Sequence, residues 1–167
     1  MSSGVAADPR FRVPLLLLLV VFAQTMLATR LDIAGVVPDV MLLVAIAGGI
    51  TGGPARGAAL GFGAGLVIDV FLQSPFGMSA LVYSLVGYAV GVAHGGVLQS
   101  SWYLPVLTAL LASMGAVLLF TVVSAVLGQP VLVSRLPVVV AVVASVNAVL
   151  APVVVPLVGW SLARLPK

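Results

Sequence analysis

Two aspartates are the residues of this chain whose type and spacing could support chemistry. Asp39 and Asp69 each lie fifteen residues from Pro54, which belongs to a Gly-Gly-Pro turn signal. If the flanking segments fold back on each other at this turn, both carboxylates come to a similar depth at one end of a hairpin. A carboxylate held among apolar segments can serve as half of an ion pair, as a proton site or as a docking point. The spacing therefore predicts a pair of candidate functional carboxylates.

The composition indicates that these carboxylates lie in or at a lipid bilayer. Of 167 residues, 62% are apolar and only 7% are charged, and the mean hydropathy is +1.33. A soluble domain carries roughly 25% charged residues, because water must solvate its surface. The chain is therefore expected to be an integral membrane protein, which excludes a soluble enzyme, a nucleic-acid binder and a disordered tail. With no cysteine, one histidine and no phosphate-binding loop, we expect no enzymatic activity, metal site or cofactor.

Apolar runs separated by turn signals predict an all-α bundle of about six membrane-spanning helices. The predicted spans are residues 13–29, 40–51, 57–72, 78–93, 104–127 and 137–163. Residues 1–12 and 164–167 are then cytoplasmic tails of a single transmembrane domain, 13–163. Five basic residues fall on the side of both termini, and two, Arg30 and Arg135, fall on the outer side. This excess predicts cytoplasmic termini, and Trp102 and Trp160 are expected at the same cytoplasmic interface.

Asp69 is the stronger candidate for a charge embedded in the membrane. Only twelve uncharged residues separate it from Arg56, and a helix of that length covers about 20 Å of a hydrocarbon core near 30 Å. The long Arg56 side chain can reach the headgroups, whereas the short Asp69 side chain cannot. We expect an ion pair with Arg30 or Arg135, or a structural hydrogen bond. Proton or substrate transport through Asp69 is the alternative.

Asp39 has a structural explanation of its own. It directly precedes an apolar run, a position at which a carboxylate often caps the free N–H groups of a helix. Capping is therefore the favoured interpretation of Asp39, with a functional role or an ion pair as the alternative. Three turn residues are predicted beside the two aspartates: Pro38, Pro75 and Gly77.

The other polar residues of the predicted spans receive structural interpretations. His94 lies near the cytoplasmic end of the fourth span, where its charge would be tolerated, so it is not interpreted as a ligand. Asn147 precedes Pro152 in the sixth span and is expected to bond carbonyl groups that the proline frees. Hydroxyls such as those of Ser113 and Thr121 can bond to the backbone of their own helix.

Glycines at intervals of four residues predict a seam along which two helices touch. In lipid, apolar burial does not drive helices together, so close backbone approach supplies the packing energy. The predicted helix-packing residues lie in the third and fourth spans and the turn before them: Gly53, Gly57, Gly61, Gly65, Gly87, Gly91 and Gly95.

Four short motifs follow one another between Val37 and Gly95. They are Pro38-Asp39-Val40-Met41-Leu42-Leu43, the glycines of 57–65 leading to Asp69, Pro75-Phe76-Gly77-Met78, and Leu85-Val86-Gly87-Tyr88. In their order and spacing the chain resembles the rod shape-determining protein MreD family. The resemblance implies a small, multi-pass protein of the bacterial cytoplasmic (inner) membrane with no known catalytic activity. Its characteristic residues, carried over by position, are Pro38, Asp39, Gly61, Gly65, Asp69, Pro75 and Gly77.

The resemblance also implies a function, namely a non-enzymatic scaffold of the cell-elongation complex, or elongasome. The expected partner is MreC, and through it or directly the MreB filament, the RodA glycosyltransferase and its class B penicillin-binding protein. By these protein–protein interactions the chain would support control of cell shape and of peptidoglycan synthesis in the cell wall. The alternative is a substrate-binding membrane subunit of an energy-coupling factor vitamin transporter, whose fold the MreD fold is expected to resemble. Such a subunit needs a polar pocket, for which this chain offers few side chains.

Overall fold

A computed structural model of the chain describes residues 9–30, 36–37, 39–71, 75–95, 103–129 and 133–163, with side chains from residue 12 to 26 in the first segment. Pro38, Trp102 and the C-terminal tail lie outside these residues, as does the side chain of Arg30. The described residues form six α-helices: α1 (Pro9–Arg30), α2 (Val40–Gly52), α3 (Pro54–Asp69), α4 (Met78–Gly95), α5 (Leu104–Val126) and α6 (Leu136–Leu162). A short 3₁₀ turn, Val133–Arg135, precedes α6.

The helices follow the predicted spans closely, and the differences lie at the helix ends. α1 begins at Pro9 rather than at residue 13, and α3 begins at Pro54 rather than at residue 57. Proline suits a first helical position, because its fixed φ is helical and the missing N–H has no partner there. The Val-rich segment that would favour a strand in water is helical in α6. The all-helical prediction is therefore confirmed for the described residues.

Three segments are long and apolar enough to cross a membrane: α4, α5 and residues 133–162, which include α6. Shorter apolar helical segments cover residues 12–26 and 40–52. A helix rises 1.5 Å per residue, so a full crossing takes about 20 residues. The long apolar helices fit a membrane protein.

α2 is the central helix of the bundle. Every residue from Val40 to Gly49 is buried, and α2 contacts each of the other five helices. α3 and α4 pack tightly against each other, and α5 pairs with α6. α1 lies on the outside against α2, α3 and α6, and exposes Leu15, Leu18 and Phe22. The core is therefore built around one short apolar helix, and the other five helices contribute buried side chains to it.

The first and last helices meet at one end of the bundle. The guanidinium group of Arg12 lies 4.7 Å from the ring centroid of Trp160 and donates a long hydrogen bond of 3.5 Å to the Trp160 carbonyl. A cation over an indole face is stabilised by the ring quadrupole. This contact holds the start of α1 against the end of α6.

Candidate functional site

Asp69, the last residue of α3, caps the next helix. Its Oδ2 accepts hydrogen bonds from the backbone N–H groups of Gly77 (2.9 Å) and Ala80 (3.3 Å), and its Oδ1 accepts one from Ser79 (3.1 Å). The first N–H groups of a helix have no partner within that helix and carry its positive dipole end. Asp69 is 3% exposed, so its carboxyl group lies inside the bundle, hydrogen-bonded to the start of α4.

Asp39 caps α2, as the favoured interpretation predicted. Its Oδ1 accepts a hydrogen bond of 3.1 Å from the Leu42 N–H. Its Oδ2 accepts a short hydrogen bond from the hydroxyl of Tyr83 on α4. The backbone N–H of Val40, the first residue of α2, donates a hydrogen bond of 2.7 Å to Gln24 Oε1 of α1. Side chains from α1 and α4 therefore fix the start of the central helix.

The two carboxylates contact the same part of α4. Asp69 bonds to the backbone at Ser79 and Ala80, and Asp39 bonds to Tyr83 about one turn later. The hairpin of α2 and α3 thus brings both aspartates to the first two turns of α4. Because the donors are neutral N–H and O–H groups, the arrangement is suited to fixing helix ends.

The structure places the two arginine candidates differently. Arg135 is exposed on the 3₁₀ turn before α6, and among the described residues it forms no ion pair with Asp69 or Asp39. Of the two expectations for Asp69, the structural hydrogen bond is the one observed, because backbone N–H groups at the start of α4 donate to both of its oxygens. The side chain of Arg30 lies outside the described residues, so its pairing stays a prediction.

The turn before α4 is shaped by two of the predicted turn residues. The Pro75 carbonyl accepts a hydrogen bond of 3.1 Å from the Met78 N–H. Gly77 adopts a φ of +94°, a left-handed conformation that costs glycine little and other residues more. This turn points the N–H groups of α4 at Asp69. The third predicted turn residue, Pro38, lies outside the described residues.

Five of the seven predicted packing glycines lie where two helix backbones touch. A Cβ atom on Gly57 would clash with the carbonyl of Gly87, and one on Gly61 would clash with the carbonyl of Tyr83. The same holds at the other positions, where only the absence of a side chain permits the approach of α3 to α4. We call this contact the α3–α4 seam, and its glycines are Gly57, Gly61, Gly65, Gly87 and Gly91.

Two predicted packing glycines lie outside the seam, and one glycine of the contact was missed. Gly53 forms the turn between α2 and α3 with a φ of +79°, and neither it nor Gly95 would bring a Cβ atom within 4 Å of a neighbour. Gly49 of α2 instead contacts the Gly87 carbonyl. It lies four residues before Gly53, so the fourfold spacing extended one step further could have identified it.

Two polar contacts join α5 to neighbouring helices. Asn147 Nδ2 donates a 2.9 Å hydrogen bond to Ser113 Oγ, and both residues are fully buried. The expectation that Asn147 bonds carbonyls freed by proline is therefore wrong, because a hydroxyl on α5 lies within reach. His94 Nε2 lies 3.2 Å from Thr108 Oγ1, between α4 and α5. Thr121 bonds the Val117 carbonyl of its own helix, as predicted.

A cavity of about 170 Å³ adjoins Asp39 between α2, α4, α5 and α6. Asp39 and Tyr83 are its two polar lining residues, and they bond to each other. The other lining side chains are apolar. In the part of the chain that the structure describes, no three His, Cys, Asp or Glu residues gather as metal ligands. The cavity is too apolar to bind a polar substrate by several hydrogen bonds.

Comparison with known proteins identifies a family. The family model described as rod shape-determining protein MreD matches residues 9–163, nearly the whole chain. No curated protein and no solved structure gives a significant match. None of these comparisons supports the alternative of a vitamin-transporter subunit.

Proposed function

The chain belongs to the rod shape-determining protein MreD family, and from this membership we propose that it is a non-enzymatic scaffold of the cell-elongation complex. Membership places it in the rod-shape determining system. The scaffold holds partner proteins together in the cytoplasmic membrane and thereby supports control of cell shape and peptidoglycan synthesis. The family match along nearly the whole chain is the observation that carries this proposal.

The way the bundle uses its polar groups supports a scaffold. Asp39 and Asp69 bond to helix N–H groups and to Tyr83, and a carboxylate that fixes two helix ends contributes to rigidity. A transporter needs polar groups that can exchange partners along a path. In this bundle the two carboxylates instead link α2, α3 and α4 into one unit.

The proposed topology has six spans with both termini in the cytoplasm. The excess of basic residues on that side supports it, and so does the contact of Arg12 with Trp160, which brings the first and last helices together at one end. The shorter helices α2 and α3 pack against other helices of the bundle. The outer loops and the lipid-facing helix surfaces remain for partners.

The proposed direct partner is MreC. The MreB filament, the RodA glycosyltransferase and its class B penicillin-binding protein are reached directly or through MreC. Family membership implies association with the rod-shape complex, and these proteins are the specific partners that the resemblance suggests. The chain contributes by position and contact, because a scaffold acts by binding free energy and turns over no substrate.

Affinity isolation of the tagged chain from its native membrane tests this proposal. The complex is extracted in mild detergent, and co-isolated proteins are identified by mass spectrometry against a second multi-pass protein carrying the same tag. We expect MreC and the elongation synthase to be enriched with this chain alone. Enrichment of an energy-coupling transmembrane subunit and its ATPases, or equal recovery with both baits, would overturn the scaffold.

A further inference from the structure

Two arginines and the two described aspartates lie at opposite ends of the bundle. Asp39 and Asp69 lie where α2 begins and α3 finishes, and both are hydrogen-bonded there. Arg12 and Arg56 lie at the other end, where α1 and α3 begin. On α3, thirteen residues separate the position of Arg56 from that of Asp69, a distance of about 20 Å. Among the described residues, the arginine end therefore has no acidic group to neutralise it.

Arg56 is an exposed residue in the first turn of α3. Its aliphatic stem packs on Gly52, because a Cβ atom built on that glycine would lie 2.8 Å from Arg56 Cβ and 2.9 Å from Arg56 Cδ. The same position is 3.0 Å from Leu162 Cδ1 at the end of α6. The first turn of α3 contains no acidic residue. The stem of Arg56 is therefore held between α2 and α6, while the residue stays accessible to a ligand.

Arg12 and Trp160 lie beside the same end of α6. Arg12 is only 9% exposed, and its guanidinium group lies over the Trp160 ring and donates to the Trp160 carbonyl. Trp160 itself is 56% exposed. An indole of a membrane protein prefers the headgroup region of the bilayer. Arg12 therefore adds a fixed positive charge beside an exposed side chain that favours lipid headgroups.

The sequence adds further basic residues next to this end. Arg10 precedes Arg12 by two residues, Arg164 and Lys167 follow α6, and Asp8 is the acidic residue near them. The side chains of these added residues lie outside the described part of the chain. Together with the two described arginines, five basic residues against one acidic residue give a formal net charge of +4. Such an end attracts anions, and acidic phospholipids are the anions that a membrane surface supplies.

We propose that the end of the bundle formed by Arg12, Arg56 and Trp160, which we call the basic end, binds acidic phospholipid headgroups. In the proposed topology it faces the cytoplasmic leaflet. Arg56 contacts the phosphate, because a guanidinium group matches phosphate oxygens with paired N–H···O hydrogen bonds. Arg12 contributes charge, and Trp160 lies among the headgroups. An acidic protein segment offers the same charge, but the exposed indole favours a lipid.

Quenching of Trp160 fluorescence by brominated lipid tests this proposal. In the Trp102→Phe variant, Trp160 is the remaining tryptophan. The variant is reconstituted in mixed vesicles of phosphatidylglycerol and phosphatidylcholine, in which one lipid or the other carries dibrominated chains. The two degrees of quenching give the binding of phosphatidylglycerol relative to phosphatidylcholine beside the indole. We expect phosphatidylglycerol to be preferred, and the preference to fall as salt is added, because ions screen exposed charges.

Removing one arginine at each end tests which end binds the lipid. Arg56→Gln should lower the relative binding of phosphatidylglycerol about fivefold, a typical contribution of one basic residue near an acidic surface. The matched control is Arg135→Gln, which removes the exposed arginine before α6 and should leave the quenching unchanged. Both positions are exposed, so thermal unfolding in detergent should match that of the parent. Equal quenching by the two lipids, no change with Arg56→Gln, or an equal loss with Arg135→Gln would overturn the inference.

Native mass spectrometry repeats the comparison without the tryptophan substitution. The wild-type chain should retain more phosphatidylglycerol than Arg56→Gln does, and as much as Arg135→Gln does. Equal retention by all three chains would overturn the inference.

The inference goes beyond the proposed scaffold function, and the two fail separately. The vesicles contain no rod-complex protein and carry phosphatidylglycerol in both leaflets, so the result depends on neither the partners nor the orientation of the chain. A preference that Arg56→Gln abolishes supports the basic end even if affinity isolation recovers no rod-complex protein. If affinity isolation succeeds and the lipid preference is absent, the scaffold stands and the basic end does not bind lipid.

Discussion

α4 has two sides that pack in opposite ways. Against α3, its backbone touches backbone along the glycines of the α3–α4 seam, and no side chain intervenes at Gly57, Gly61 or Gly87. Against α5, the same helix leaves two open apolar hollows, one lined by Phe76, Leu81 and Val126 and the other by Tyr88 and Gly115. One side is a closed internal joint, and the other retains an open surface.

The physical reason for the difference lies in what holds helices together in lipid. Exposed apolar side chains such as Leu118 and Val122 of α5 are as well solvated by lipid tails as by protein, so their burial is not required. Helices therefore associate where backbones approach closely or where polar groups bond. The α3–α4 seam uses the first means, and Asp69 and the pair of Asn147 and Ser113 use the second. Between α4 and α5, His94 and Thr108 form a polar contact of 3.2 Å, and the two hollows lie beside it.

The largest loss of stability is expected from adding one methyl group to the α3–α4 seam. We expect Gly61→Ala to lower the free energy of unfolding by about 3 kcal/mol or more, because the new Cβ atom meets the Tyr83 carbonyl and backbone cannot move aside as a side chain can. Far-UV circular dichroism during denaturation in detergent measures the loss.

The matched control for this change is Gly63→Ala on the same helix. Its Cβ atom would meet only the end of the Leu17 side chain, at 3.8 Å, so its effect should stay within about 1 kcal/mol. If Gly61→Ala and Gly63→Ala lower the free energy of unfolding equally, close backbone contact in the α3–α4 seam does not account for the effect of Gly61→Ala.

The Asp69 cap offers a second test of the closed side. We expect Asp69→Ala to lower the free energy of unfolding by about 2 to 3 kcal/mol, because three N–H groups at the start of α4 lose their buried acceptor. Asp69→Asn keeps one oxygen and should fall between alanine and wild type. Denaturation in detergent measures both variants, with exposed Gln129→Ala as the control. An unchanged stability of Asp69→Ala would show that the cap contributes nothing.

The smallest loss of stability is expected from removing the hydrogen bond between α5 and α6. Ser113→Ala removes the hydroxyl that bonds Asn147 across α5 and α6, and such bonds in membrane bundles contribute about 1 kcal/mol. The control Ser124→Ala lies on the same helix, partly buried, and should change stability less. The same denaturation experiment measures the free energies of unfolding of both variants. If the hydrogen bond causes their difference, that difference should disappear when Asn147→Ala is also present.

The partner of Asp69 could be predicted only in part from the neighbouring sequence. Its short distance from Arg56 indicated an embedded carboxylate that needs a partner. The partner proved to be the start of the next helix, eight to eleven residues further along the chain. The turn residues Pro75 and Gly77 were recognised, but the path of a turn depends on how α3 and α4 pack. The expectation for Asp69 was an ion pair or a structural hydrogen bond, and the sequence did not distinguish the two, because backbone N–H groups without a partner occur at every helix start.

The helices, their approximate ends and five of the seven packing glycines follow from the sequence alone, because apolar length, proline positions and fourfold spacing are local properties of the chain. The sequence also indicated the family, through motifs whose order does not depend on packing. The central position of α2, the hydrogen bond from Tyr83 to Asp39 and the open space beside Gly115 appear only in the tertiary structure. These features depend on which helix faces meet, and in a chain that is apolar on nearly every face, hydrophobic periodicity does not distinguish the side toward protein from the side toward lipid.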